Sequence, residues 1–175
     1  MAVKDFLQGK WLHHPLHPAL VHVPTGLWPA ALVFDVCSYC FSDPLLDRWL
    51  ARTAFWCILV GLIGAVAAVP AGLADWWDIK PDRPARKIGL WHLAINGLVA
   101  VLFAANLGVR LYQGVDATPP RPTAATLTGL GVGLLFISGY LGGRMVYDHG
   151  IGVARQSKRR WRRVAEAAGA NVPEE

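Results

Sequence analysis

The chain has 175 residues, of which 54% are hydrophobic and only 17% are charged, and its formal net charge is +5. This length fits one domain, and the charged fraction falls below the roughly 25% of an ordinary soluble domain. Helices of a soluble domain need a polar face. The composition and the bunching of the apolar residues therefore exclude a soluble globular protein.

Four apolar segments follow one another along the chain, at 19–41, 53–73, 88–109 and 123–143. The last three contain no Asp, Glu, Lys or Arg, and the first contains only Asp35. A helix rises 1.5 Å per residue, so about 20 apolar residues cross a bilayer core of roughly 30 Å. The sequence therefore predicts an all-α integral membrane four-helix bundle with four transmembrane helices.

The basic residues indicate the orientation of this bundle. With four spans, both termini and the 74–87 loop lie on one side. That side carries thirteen basic residues, Lys4, Lys10, Lys80, Arg83, Arg86, Lys87, Arg144, Arg155, Lys158, Arg159, Arg160, Arg162 and Arg163. The other side carries Arg48, Arg52, Arg110 and Arg121. Loops rich in Lys and Arg stay in the cytoplasm, so we expect both termini to be cytoplasmic in a multi-pass protein of the bacterial inner (plasma) membrane.

Three regions result from this topology. Residues 1–18 form a membrane-surface segment with a His/Pro motif, 19–147 form the four-span bundle, and 148–175 form a basic cytoplasmic tail. The run "RQSKRRWRRVAE" in that tail is expected to attract anionic lipid headgroups. No nucleic-acid recognition fold accompanies it, so no nucleic-acid partner is expected. The end, "AGANVPEE", has the composition of a frayed polar tail.

The stretch "HHPLHPALVHVP", residues 13–24, holds four of the six histidines. A residue before proline is pushed out of the α region, so His14 and His17 are expected to be extended. Pro18 suits the first position of a helix, which places His22 about one turn inside the first span. A helix that begins only at Pro24 is the alternative.

Small residues in two spans predict close helix packing. Gly61, Gly64 and Ala68 lie in the second span, and the fourth contains Gly129-x-x-x-Gly133. Small residues let membrane helices approach each other. No internal repeat is expected, since the first and third spans share only a histidine near their starts.

All six histidines fall on the cytoplasmic side of this topology. His22 and His92 each lie about one turn inside parallel helices, and haem iron accepts two neutral imidazoles inside a helical bundle. Trp76 and Trp91 could supply aromatic walls. The first hypothesis is therefore a b-type haem (haem b) held by His22 and His92.

Two alternatives stay open. One is a site for a divalent metal ion, whose candidate nitrogen and oxygen ligands are His14, His17, His22, Asp75, His92 and His149. The other is that these groups only hydrogen-bond one another, in a cofactor-free scaffold subunit of a membrane complex.

Asp35 lies deeper in the first span, where an ionised carboxylate is costly. We expect it to be neutral or paired, with Asn106 of the third span as its partner.

Four motifs in this order resemble the bacterial membrane family called domain of unknown function 2231. They are "HPLHPALVHVPTGLW", "AGLADWWDI", "HLAINGLVAVLF" and "GGRMVYDHGIGV". The motif positions of the family are His14, Pro15, His17, Pro18, His22, Pro24, Asp75, Trp76, His92, Asn96, Gly142, Gly143, Tyr147, His149 and Gly150. The resemblance implies a small four-helix membrane protein of respiratory or redox membranes, and it implies no activity.

Together these patterns favour a membrane redox or electron-transfer component. Its expected partners are membrane lipids and either redox proteins or a quinone. The sequence leaves the oligomeric state open, a homo-oligomer included.

Overall fold

The computed structural model describes residues 3–41, 43–117, 119, 122–151 and 158–170. Its helices are α1 (Val3–Leu7), α2 (Leu16–Cys40), α3 (Pro44–Trp77), α4 (Pro84–Gln113), α5 (Pro122–Tyr147) and α6 (Lys158–Ala167), with a 3-10 turn at Lys10–Leu12. Throughout these described residues no β-strand occurs. In the basic run, residues 155–157 and the side chains of 158–162 lie outside the described part, as does 171–175 of the polar tail, so the lipid contact of that run stays a prediction.

Helices α2 to α5 are each long and apolar enough to cross a membrane, which confirms the predicted four spans. α2 packs mainly on α3 and α4 mainly on α5, while α2 also contacts α5 and α3 contacts α4. The bundle therefore consists of two helical hairpins, in which α2 and α4 lie diagonally opposite and run in the same direction.

The helix starts follow from local sequence. The Asp43 carboxylate caps α3 by accepting from the backbone N–H groups of Leu45 and Leu46, at 2.8 and 2.9 Å. Such a cap satisfies donors that the first turn of a helix leaves unpaired. Pro84 and Pro122 are the first residues of α4 and α5, a position where the missing N–H of proline costs nothing.

The start of α2 corrects one sequence prediction. The helix begins at Leu16, so His17 is helical and not extended. Pro18 is then its third residue, still in the first turn, where no intrahelical hydrogen bond is lost. The hydrogen bond between His17 and the Ala68 carbonyl of α3 outweighs the preference of a residue before proline for an extended backbone. His14 lies outside the helix, as predicted.

Three pairs of side chains from α2 and α4 meet on the bundle axis. They are His17 with His92, Trp28 with Phe103, and Asp35 with Arg110. The two partners of each pair are 75 positions apart in the chain (17 to 92, 28 to 103, 35 to 110). Successive pairs are 11 and 7 residues apart, close to three and two helical turns. One stripe of α2 therefore faces the matching stripe of α4 over about 27 Å.

Helices α3 and α5 contact this seam at equivalent positions. Gly61 lies against the Trp28 ring, and Gly131 lies against the Phe103 ring. Further along, Gly72 and Gly142 lie against the rings of the axial histidines. Both glycine pairs are 70 positions apart (61 to 131, 72 to 142). The two hairpins thus make the same contacts, related by an approximate internal twofold axis.

This relation corrects the expectation that the chain has no internal repeat. Asp35 and Gly61 are 26 positions apart, but their counterparts Arg110 and Gly131 are only 21 apart. No single shift of the sequence against itself can therefore align both helices of a hairpin. The repeat becomes visible only when the axial contacts identify which residues are equivalent.

The predicted close packing is confirmed at Gly61 and Gly64 of α3, but in α5 the predicted glycines are not the ones in contact. An added Cβ at Gly129 or Gly133 would meet no heavy atom within 4 Å, whereas one at Gly131 would lie 2.6 Å from the Phe103 ring. The Gly129-x-x-x-Gly133 pair therefore lies away from the helix contact, and the glycine between them makes it.

The N-terminal segment, residues 3–12, docks on the end of α3. The Gln8 side-chain amide donates to the Ala74 carbonyl at 3.1 Å, and both Lys4 and Gln8 donate to the Asp78 carboxylate. The hydrogen bond from Lys4, followed by the one from Gln8, lowers the pKa of Asp78. The ionised carboxylate is therefore the form that anchors this segment.

The pH dependence of this anchor follows from the lowered pKa. Because the folded pKa lies below the unfolded one, the stabilisation is complete above the unfolded value, about 4, and is lost as the pH falls through the folded value. We expect amide hydrogen exchange in residues 3–12, corrected for intrinsic rates, to rise on acidification. Asp78→Asn should produce the same rise at neutral pH, and Asp82→Asn in the same loop should not. Equal protection in all three proteins would contradict this anchor.

The axial stacking yields a prediction with a matched control. Gly131→Ala would force a methyl group into the Phe103 ring, and overpacking of this kind costs about 1–3 kcal/mol. Gly129→Ala adds the same methyl group to open space, where alanine also favours the helix. Thermal unfolding in detergent should therefore show a lower midpoint for Gly131→Ala and an equal or higher midpoint for Gly129→Ala. Equal midpoints for both variants would contradict the packing described here.

Candidate functional site

His17 and His92 meet on the bundle axis at the end where the N-terminal segment docks. Their ring centroids are 6.4 Å apart and the ring planes are nearly perpendicular. His92 lies eight residues into α4, about 12 Å along the helix from its first residue. Both rings are partly buried. The pair therefore lies in the first turn of α2 and about two turns into α4.

The same type of hydrogen bond orients both rings. Nδ1 of His17 lies 3.0 Å from the Ala68 carbonyl oxygen, and Nδ1 of His92 lies 2.9 Å from the Ser138 carbonyl oxygen. A carbonyl oxygen only accepts, so Nδ1 donates in both cases. In a neutral imidazole the lone pair is then on Nε2. The two acceptors are again 70 positions apart (68 to 138). The internal twofold therefore also relates the hydrogen bonds that fix the tautomers of the two histidines.

Polar neighbours distinguish the two rings. The Asn96 amide nitrogen lies 3.1 Å from Nε2 of His92 and donates to the Ser138 hydroxyl at 2.7 Å. At the equivalent positions around His17 the chain has Val21 and Ala68. His92 is therefore held by a larger hydrogen-bond network than His17.

Asp75 gives His17 a different neighbour. This carboxyl group is half-buried near the end of α3, three residues after Gly72, which lies beside the His17 ring. The equivalent position in α5 is Met145. The acidic residue therefore occurs beside only one of the two imidazoles.

The expected pairing of His22 with His92 is corrected by this geometry. His22 is five residues beyond His17, so it projects about 140° around α2 and about 7.5 Å further along. Its side chain is exposed, and its Nδ1 lies 2.6 Å from the Pro18 carbonyl of its own helix. Among the described ring contacts, the imidazole beside His92 is that of His17.

The other predicted ligands are dispersed. His14 is exposed before α2, and His149 is partly buried in the turn after α5. Within the described residues, no three or more His, Cys, Asp or Glu side chains form a group that could hold a metal ion. The metal set predicted from the sequence therefore reduces to His17 and His92, with Asp75 nearby.

The two predicted tryptophan walls also lie elsewhere. The Trp76 indole donates to the Arg86 carbonyl at 3.0 Å, and the Arg86 guanidinium stacks on its ring, 4.1 Å from the centroid. Trp91 is exposed on the outer surface of α4. The aromatic core is instead the stack of Trp28 on Phe103, with ring centroids 4.2 Å apart.

A second polar cluster occupies the far end of the axis. Arg110 places Nη2 2.6 Å from each carboxylate oxygen of Asp35, and its Nε donates to the side-chain oxygen Oδ1 of Asn106 at 2.8 Å. The Thr128 hydroxyl donates to Asp35 at 2.7 Å. All four side chains are buried. Both the carboxylate and the guanidinium thus have hydrogen-bond partners, as a buried charge pair requires.

Sequence reasoning missed Arg110 as the partner of Asp35. The predicted partner, Asn106, contacts Arg110 instead. Arg110 was assigned to the outer surface because it ends an apolar span. The available signal was its spacing from Asn106, since residues four apart share a helix face and both therefore face the bundle interior.

The fold and the axial pairs together define a four-span α-helical membrane protein with one charged pair and one histidine pair on its axis. The sequence profile of one family matches residues 13–155, most of the chain. That family is described as a predicted membrane protein, domain of unknown function 2231, and the chain belongs to it, as its four motifs predicted. No curated protein and no solved structure matches the chain.

The buried ion pair gives a stability prediction. Arg110→Ala leaves the Asp35 carboxylate, 1% exposed, without its counter-charge, which costs about 3–5 kcal/mol. Arg52→Ala breaks an ion pair with Asp116 whose side chains are both 48% exposed, and such surface pairs contribute at most about 1 kcal/mol.

Thermal unfolding in detergent measures the difference between these two variants. Replacing both partners with apolar residues, Arg110→Met with Asp35→Leu, should restore most of the stability lost in Arg110→Ala. Equal midpoints for Arg110→Ala and Arg52→Ala would contradict a buried pair.

Proposed function

We propose that this protein is a membrane redox component that transfers electrons through a b-type haem held between His17 and His92. The observation that carries this proposal is the matched anchoring of the two rings. Histidines that ligate metals nearly always donate their other ring N–H to a carbonyl or carboxylate, which fixes the tautomer and raises the basicity of the ligating nitrogen. Here both Nδ1 atoms have carbonyl acceptors, so the neutral form of each ring has its lone pair on Nε2.

The separation of the rings supports the same proposal. Two imidazoles that bind opposite sides of one metal ion at about 2.0 Å each have ring centroids roughly 6 Å apart. The distance between the His17 and His92 centroids is 6.4 Å. Their position on diagonal helices also suits a ligand that lies on the bundle axis.

Glycines lie beside both rings, and one hydrogen bond at His92 would have to change before a metal binds. An added Cβ at Gly72 would lie 2.7 Å from the His17 ring, and one at Gly142 would lie 3.2 Å from the His92 ring. Glycine at these positions lets α3 and α5 run close beside the imidazoles. The Asn96 amide, 3.1 Å from Nε2 of His92, would have to turn away before that nitrogen binds iron.

Each residue then has a defined role. His17 and His92 would bind the iron, the carbonyls of Ala68 and Ser138 would hold the tautomers, and Asp75 would exchange protons near His17. The haem would supply one-electron transfer. By the excess of basic residues on the same side, this end of the bundle would face the cytoplasm, in the inner membrane of a bacterium, with a quinone or a redox protein as electron partner.

A divalent metal ion bound by the two axial imidazoles is the second candidate. Imidazole nitrogens are typical ligands of Zn²⁺ or Fe²⁺. This alternative predicts stoichiometric metal without a haem spectrum. A scaffold subunit predicts neither.

The test is a dithionite-reduced-minus-oxidised absorption spectrum of the full chain, purified in mild detergent from its own host. We expect Soret and α bands that disappear in His17→Ala and in His92→Ala. His22→Ala is the matched control, because it removes an exposed imidazole from the same helix, and it should keep the full spectrum.

Other outcomes separate the alternatives. Loss of the bands in His22→Ala but not in His17→Ala would overturn the pairing described here. A flat spectrum from folded protein would reject haem, and elemental analysis of the same sample would then distinguish a metal site from a scaffold.

A further inference from the structure

A surface groove runs between α4 and α5 at the end of the bundle that holds the histidine pair. Its wall combines five apolar side chains with two cations. They are Pro84, Ile88, Trp91, Ile95 and Leu141, with Lys87 and Arg144. We call this the α4–α5 groove. It lies on the outer surface of the bundle, separate from the axial histidines.

The charges and the apolar side chains are ordered along the membrane normal. Lys87 is the fourth residue of α4, and Arg144 lies in the last turn of α5. Both cations are therefore at the level where a span meets the membrane surface. Ile88, Trp91 and Ile95 follow at helical spacing, and Ile95 lies about 12 Å deeper than Lys87. The groove thus presents cations at the surface and an apolar strip leading inward.

The cations keep free capacity for an anion. Lys87 is exposed and makes no ion pair with any residue that the structure describes. Arg144 donates through Nε to the Asp148 carboxylate at 3.0 Å, which uses one of the five N–H donors of a guanidinium. Lys87, Arg144 and Asp148 together therefore carry a net positive charge.

A second groove, at the other end of the bundle, is a built-in comparison. It is lined by Arg52, Trp56, Gly114, Val115 and Asp116. It also combines an arginine with a tryptophan, but Arg52 donates through both Nε and Nη2 to the two oxygens of Asp116. Its cation is therefore neutralised within the groove.

The internal twofold provides another comparison. The position in the first hairpin equivalent to Arg144 is Ala74, which carries no charge. Helix α2 begins only at Leu16, so it has no helical counterpart of Lys87. The pair of cations is therefore specific to the second hairpin, and the bundle packing common to both hairpins does not require it.

We propose that the α4–α5 groove binds one anionic phospholipid of the surrounding bilayer. Lys87 and Arg144 contact its phosphate headgroup, and one acyl chain lies along Ile88, Trp91, Ile95 and Leu141. Basic pockets between transmembrane helices recognise anionic headgroups in this way. A soluble anion would use the cations but leave the apolar strip without a ligand. This proposal is independent of any cofactor at the histidine pair.

Native mass spectrometry of the full chain tests the proposal. The protein in detergent is titrated with phosphatidylglycerol or with phosphatidylcholine of the same acyl chains. We expect one phosphatidylglycerol to be retained in preference to phosphatidylcholine. In the double variant Lys87→Ala with Arg144→Ala, this preference should weaken on the order of tenfold, because each cation near the surface contributes to anionic-lipid attraction. The basic tail is present in every protein compared, so its contribution cancels.

Arg52→Ala is the matched control, since it removes an arginine from a groove whose charge is already neutralised, and it should keep the wild-type preference. All variants change exposed side chains, and circular dichroism verifies that they are folded. Equal retention of the two lipids by the native protein, or an unchanged preference in the double variant, would overturn the proposal. Displacement of the lipid by equimolar glycerol 3-phosphate would identify a soluble-anion site and overturn it as well.

Discussion

The contact between α2 and α4 along the bundle axis determines how close the other two helices can come. Membrane helices gain little from hydrophobic burial against one another, because lipid tails are as apolar as the side chains. Association then depends on close packing and on polar contacts. The stacked rings of Trp28 and Phe103 fill the axis, and only residues without a side chain can face them. Gly61 and Gly131 meet this requirement on α3 and α5.

The same seam carries a polar pair at each end, and the two pairs differ in what they leave available. Asp35 and Arg110 are hydrogen-bonded to each other, to Asn106 and to Thr128, and these contacts offset the cost of burying the two charges. His17 and His92 use only Nδ1 for their anchors on α3 and α5. The charged pair therefore fixes the register of α2 against α4, while the histidine pair connects these two helices to α3 and α5.

The internal twofold explains how one frame can support different chemistry in its halves. Residues that pack the axis are equivalent in both hairpins. Residues around the axis differ between the hairpins. Val21 and Asn96 are the equivalent residues beside the histidines, and Asp75 and Met145 are those one turn after Gly72 and Gly142. Substitutions at these outer positions leave the axial contacts intact. Each half can therefore hold its own proton-handling, hydrogen-bonding or lipid-contacting groups.

The sequence by itself determined the four spans, the family and the end of the bundle where the histidines lie, because apolar length and motif order are local properties of the chain. It could not decide which histidine faces His92, since a shift of five residues turns a side chain to another face without altering the apolar pattern. It also missed Arg110 as the partner of Asp35 and the repeat itself. Those depend on the register of two helices separated by 75 positions, which only tertiary packing decides.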